Sequence, residues 1–191
     1  MNKISHLRVT EQILGAYPNL SRAQKKWIRV GCILPDLLLS TYLKAHTWKA
    51  RSPQVFRMTE RFLRHGLHSR RDFLAYGCIL HYVEDFFTFP HNEMFRGSLR
   101  EHVRYEGELY RHLIQFVGVA QYDGVRLMAR TLPARLSELH DNYQNTQSGV
   151  QTDLAYIKEA AGMISAVFLS TVCADWTMEE MEREMFPSVS G

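Results

Sequence analysis

The segment Gly77-Cys78-Ile79-Leu80-His81-Tyr82-Val83-Glu84-Asp85-Phe86-Phe87-Thr88-Phe89-Pro90-His91 is apolar and aromatic, yet a histidine and an acid stand in it four residues apart. On a helix, His81 and Asp85 project from one face, one turn apart. Burying both among such neighbours is costly unless something pairs with them. A multivalent metal ion would do so. The segment therefore reads as the centre of a metal site, with His91 just past Pro90 and further ligands scattered along the chain.

Almost everything around this segment reads as helix, because no alternating strand pattern of any length occurs, and only Leu37 to Arg51 resist assignment. At 191 residues, with 46% hydrophobic and 23% charged, the chain suits one soluble helical domain over residues 1–191 with a substantial core. The net charge of +3 is mild, and no stable nucleic-acid partner is expected from it. Arg22, Lys25, Lys26 and Arg29 read as a solvated helix face. Cys32, Cys78 and Cys173 are odd in number and lie in apolar surroundings, as buried reduced thiols do. Met1 to His6 lacks the apolar core of a signal peptide, and the apolar run Ala160 to Ala174 is too short to span a membrane. The expected location is the cytoplasm, or outside the cell if a signal peptide has been trimmed.

The helices are punctuated in the usual ways. Ser5 is expected to cap a first helix ending near Gly15, and Ser21 a second. Pro35 should kink or end that second helix and leave Asp36 at a break. Ser52-Pro53 reads as a helix start. Ser69 with Asp72, and Ser98 with Glu101, resemble capping boxes. Asp123-Gly124 opens another helix, bent at Pro133, and Ser148 leads into a last one ending near Phe186. The expected architecture is an all-α bundle of about six or seven helices. The tetrapeptide Gly-Cys-Ile-Leu occurs at both 31–34 and 77–80, as chance or as two helices using a small residue to pack closely.

Spacing alone is weak evidence for the metal. Nine His and 20 acids in 191 positions give roughly one His-x3-acid pair at random, and short motifs carry this false-positive risk. The chain has three. His68/Asp72 flank a helix start and read as capping and surface residues. His81/Asp85 sit where a charge needs a partner, and His102/Glu106 lie among charged residues. Taken together, His81, Asp85, His91, His102 and Glu106 offer five N and O donors, a set that suits zinc. A ferritin-like di-iron centre would need Glu-x-x-His, which does not occur.

With His6, Pro35-Asp36 and His46 before it, this set resembles the zinc-dependent phospholipase C family, whose superfamily includes the single-strand-specific zinc nucleases. The block His81-x3-Asp85-x5-His91 has the family's spacing, and Glu106 matches its phospholipase branch. The resemblance implies an all-helical fold and two to three zinc ions. Asp36, His46, His81 and Asp85 would hold one, with His65 and His68 as positional alternatives to His46. His91, His102 and Glu106 would hold a second. Asp85 would bridge to a third, bound also by His6 and by the amine and carbonyl of Met1, retained because Asn2 is bulky. Asp36 would also be the catalytic general base.

The implied activity is hydrolysis of a phosphodiester by metal-activated water, most simply of a phospholipid, with oligomeric state left open. No acid stands between Met1 and His6 where the phospholipases hold a choline head group. Tyr42, Trp48 and Phe56 are candidates for an aromatic substrate wall, or else core. The rivals are a single-strand nuclease, another small-molecule phosphoesterase, and a non-catalytic helical binding module. His112, His140, Trp176 and the acids from Glu179 to Glu184 read as packing or surface residues.

Overall fold

A computed structural model describes residues 1–37, 46–113 and 125–173, without the side chains of 125–130, 171 and 173. Seven α-helices and one 3-10 turn make up these residues, with no strand among them: α1 (Lys3–Ala16), α2 (Arg22–Leu37), α3 (Trp48–His65), α4 (Arg70–Phe86), the turn Phe89–His91, α5 (Leu99–Leu113), α6 (Val125–Gln144) and α7 (Val150–Cys173). The all-α expectation holds. Tyr42, Asp123-Gly124 and Trp176 onward lie outside the described residues.

The central helix is α4, on which α1, α2, α3 and α7 all pack. Every residue from Ile79 to Phe86 is buried, which explains why the segment lacks a polar face. Tyr76, Ile79, Leu80 and Phe86 join Ile13, Ile28, Phe62 and Ile164 in one core. Each such side chain contributes about 1.5–3 kcal/mol by leaving water. The Tyr76 hydroxyl is satisfied by Ser165 Oγ at 2.9 Å, which ties α4 to α7.

The duplicated Gly-Cys-Ile-Leu marks the tightest of these contacts. A Cβ on Gly31 would lie 2.0 Å from the Leu74 carbonyl oxygen, and one on Gly77 would lie 2.3 Å from that of Ile28. The two glycines face each other where α2 crosses α4, so the close-packing reading is the right one.

The caps are mostly where the sequence suggests. Ser69 and Asp72 form a reciprocal capping box, Ser98 and Glu101 do the same for α5, and Ser21 pairs with Gln24 at the start of α2. Three expectations fail. Asn2, not Ser5, caps α1, accepting from the Ser5 N–H at 2.9 Å, while Ser5 is buried inside the helix. The third helix begins at Trp48 after Thr47, and Pro53 sits inside it. Pro35 does not stop α2, which runs on to Leu37 and places Asp36 in its last turn. Tertiary packing holds both helices through the one hydrogen bond that an internal proline removes.

Candidate metal centre

Six separate segments bring polar groups together at one end of α4. His81 and Asp85 come from α4 itself, one turn apart and fully buried. His81 Nδ1 donates to the Cys32 carbonyl of α2 at 2.9 Å, which leaves its Nε2 lone pair aimed at the centre. Asp36 enters from α2, with Oδ1 3.7 Å from His81 Nε2. His46, just ahead of α3, brings Nδ1 to 3.2 Å from that nitrogen and 3.1 Å from Asp85 Oδ2. His65 and His68 are exposed and distant in role, the latter beside the Asp72 cap.

The two oxygens of Asp85 face different neighbours. Oδ1 accepts from the buried Met1 amine and lies 3.3 Å from His6 Nε2. Oδ2 faces His46, His81 at 3.3 Å and His91 at 3.6 Å. On the far side, His102 Nε2 and His91 Nε2 lie 3.0 and 3.3 Å from Glu106 Oε1. The Met1 amine is 3.0 Å from His91 Nε2 and 3.4 Å from Glu106. Three donor groups result: His6/His81/Asp85, Asp36/His46/His81 and His91/His102/Glu106, each with ligand atoms within 4.8 Å of one another. The second and third reach a cleft of about 780 Å³ lined by Met1, Asp36, His46, His91, His102 and Glu106 among others, whereas His6, His81 and Asp85 are fully buried.

The electrostatics suit a cation. Burial works to raise Asp85, but His91, the Met1 amine, His81 and His6 outweigh it and hold the carboxyl well below its usual range. Glu106 is likewise held low despite its burial, through His102 and His91. Burial lowers His6 well below, and His91 below, the ordinary imidazole value. Both rings are therefore neutral at neutral pH, the state that ligates metal. The Met1 amine is raised because Asp85 and Glu106 outweigh its desolvation. Asp36 is raised, chiefly by burial.

Where the partner of one ring nitrogen fixes the tautomer, the other nitrogen faces carboxylate oxygens as an acceptor, an arrangement that repels itself without a cation between them. His81 is the clearest case, since a carbonyl can only accept from its Nδ1. The donor set, all N and O with no thiolate, fits zinc. Cys32 is buried and Cys78 half-buried, both as free thiols.

Sequence reasoning passed over Glu84. It is fully buried next to Asp85, with Oε2 2.6 Å from His6 Nδ1. Burial raises it well above the usual carboxylate range. The signal was present: Glu84 stands three residues after His81, on the same helix face. Asp153 of α7 was also passed over. It accepts from the Phe89 N–H at 2.8 Å and the Tyr105 hydroxyl at 2.8 Å, holding the His91 turn against the helix that carries Glu106.

Two of the candidates for an aromatic wall, Trp48 and Phe56, lie among the described residues. Trp48 stacks on His140, with ring centroids 4.0 Å apart, and lines a side cavity next to His91. Phe56 packs edge-on behind Trp48 against the core. His140 is satisfied by Asn92 Oδ1 at 3.3 Å, as a packing histidine should be.

A family model described as zinc dependent phospholipase C matches residues 5–165. No curated protein and no solved structure matches the chain.

Proposed function

Since the chain belongs to the zinc-dependent phospholipase C family, we propose that it is a zinc-dependent phosphoesterase that hydrolyses a phosphodiester, most simply that of a phospholipid. The observation that carries this reading is the clustering of three donor groups, two of which reach one cleft. Asp36, His46, His81 and Asp85 would hold one zinc, and His91, His102 and Glu106 a second. Asp85 Oδ1, His6 and the amine and carbonyl of Met1 would hold a third.

Zinc bound there supplies acidified water and neutralises charge developing on a phosphoryl group. The protein's own groups do the rest. Cys32 and Glu84 orient His81 and His6, and Asp153 fixes the turn bearing His91. Asp36, at the wall of the cleft with its affinity for protons raised by burial, is placed to take a proton from the attacking water. No helix among the described residues is long and apolar enough to cross a membrane.

The test is metal analysis of the purified protein together with turnover of a chromogenic phosphocholine ester, phospholipid vesicles and single-stranded DNA. The expected result is two to three zinc per chain and cleavage of the lipid. A folded, metal-free and inactive preparation that takes up no zinc would overturn the reading, and cleavage of DNA alone would replace the substrate.

A further inference from the structure

Among the described residues, the exposed large hydrophobics are Ile4, Leu37, Met94, Leu99 and Val103. Single exposed apolar residues need no explanation, but three of these gather in one place. Ile4, Leu99 and Val103, exposed by 61, 78 and 61%, line the same cleft as His91, His102 and Glu106. Leu37 directly follows Asp36, and Met94 stands three residues after His91. The mouth of the metal centre is thus lined with apolar side chains that no other described residue covers.

Charge follows the same pattern. On α5, Leu99 and Val103 form an i,i+4 stripe beside the His102/Glu106 stripe. Arg100 and Arg104, both exposed, form the next one round. Lys3 stands exposed beside Ile4 and also lines the cleft. The acid nearest in sequence, Glu101, is engaged in capping Ser98. A helix with an apolar stripe flanked by arginines is built to lie in the headgroup region of a bilayer. A second copy fits the face poorly, since a two-fold contact would set these cations against their own equivalents.

We propose that Ile4, Leu99 and Val103, with Lys3, Arg100 and Arg104, form a docking surface for an anionic lipid bilayer that opens the metal centre directly onto the headgroups. The proposal rests on the phosphoesterase reading and narrows it, making the substrate an aggregated lipid and not a freely soluble ester.

Co-sedimentation of the zinc-loaded protein with vesicles of equal parts phosphatidylcholine and phosphatidylglycerol, on ice to limit turnover, tests it. The wild type should partition to the vesicles, less so as salt screens the surface. Leu99→Asp/Val103→Asp should weaken partition at least about tenfold, because charges replace the inserted groups. Arg100→Gln/Arg104→Gln should weaken it about fivefold per residue on the mixed vesicles and little on pure phosphatidylcholine. Ile4→Asp, on a different helix, is the second variant should the α5 pair fail to fold. Wild type that stays in the supernatant, or folded Asp variants that partition like it, would overturn the proposal. So would a solution dimer dispersed by Leu99→Asp/Val103→Asp without vesicle binding, which assigns the face to a second copy. Failure of the phosphoesterase reading would appear separately, in zinc content and ester turnover, which partition does not measure.

Discussion

Glu84 Oε2 lies 2.6 Å from His6 Nδ1, joining α4 to α1 beneath the metal centre with neither side chain exposed. An imidazole held at one nitrogen by a carboxylate has its orientation and tautomer fixed, and it ligates better through the other. Here the other, Nε2, faces Asp85 at 3.3 Å. Glu84→Gln keeps the volume and one acceptor but cannot ionise when His6 ligates a metal. Zinc affinity should fall about tenfold, read by competition with a chelator. The melting temperature of the metal-free protein should hardly move, because burial already favours the neutral acid. Unchanged zinc affinity would reduce Glu84 to packing.

Asp85→Asn asks whether one residue joins two ions. Its oxygens divide between the Met1/His6 side and the His46/His81 side, whereas His91, His102 and Glu106 form a group without it. Zinc content should therefore drop to about one per chain, leaving that last group occupied. Retention of the full complement would show that Asp85 is not a bridge. A short extension ahead of Met1 should remove only the ion that uses its amine.

The fold and the position of the ligands were open to sequence reasoning to different degrees. Caps at Ser21, Ser69 and Ser98 act through bonds within three residues, so they can be read locally. Pro35 and Pro53 could not, because packing against other helices decides whether a helix survives an internal proline. His81 and Asp85 stood out because they are polar in an apolar run. Glu84 shares that run but was overshadowed by its neighbour, and its partner, His6, lies 78 residues away at the start of α1. Asp153 gave no signal at all: its three donors come from Phe89, Tyr105 and Tyr143, and only the fold brings them together.

The crossing of α2 and α4 leaves no room for a methyl group. A Cβ on Gly77 would meet the Ile28 carbonyl at 2.3 Å, the Cys32 nitrogen at 2.7 Å and the Gly31 Cα at 2.9 Å, all backbone atoms that cannot rotate away. Gly77→Ala should cost about 3 kcal/mol or more in urea unfolding, and by displacing Cys32 it should also loosen His81. Gly107→Ala is the contrast. Nothing lies within 4 Å of that Cβ, so helix propensity alone acts and stability should rise by about 0.5–1 kcal/mol. Equal effects at the two glycines would contradict the packing account.

Asp153 gives the pH dependence a sign. Burial pushes its carboxyl up to about 6, against the pull of the Phe89, Tyr143 and Tyr105 donors. Its unfolded value is near 3.9, so between about pH 4 and 6 the native state binds more protons than the unfolded state. This contribution to stability is complete below pH 4 and is lost as pH rises through 6, by at most about 3 kcal/mol. Asp153→Asn lacks the titration. Urea unfolding of the two metal-free proteins should therefore show the wild type losing ground to the variant across that window, with a constant difference above pH 7. The change has a consequence for the site, since Asp153 holds the turn bearing His91 to the helix bearing Glu106. A difference that stays flat from pH 4 upward would mean that the three donors already keep the carboxylate ionised, and that the His91 turn is held by a fixed charge.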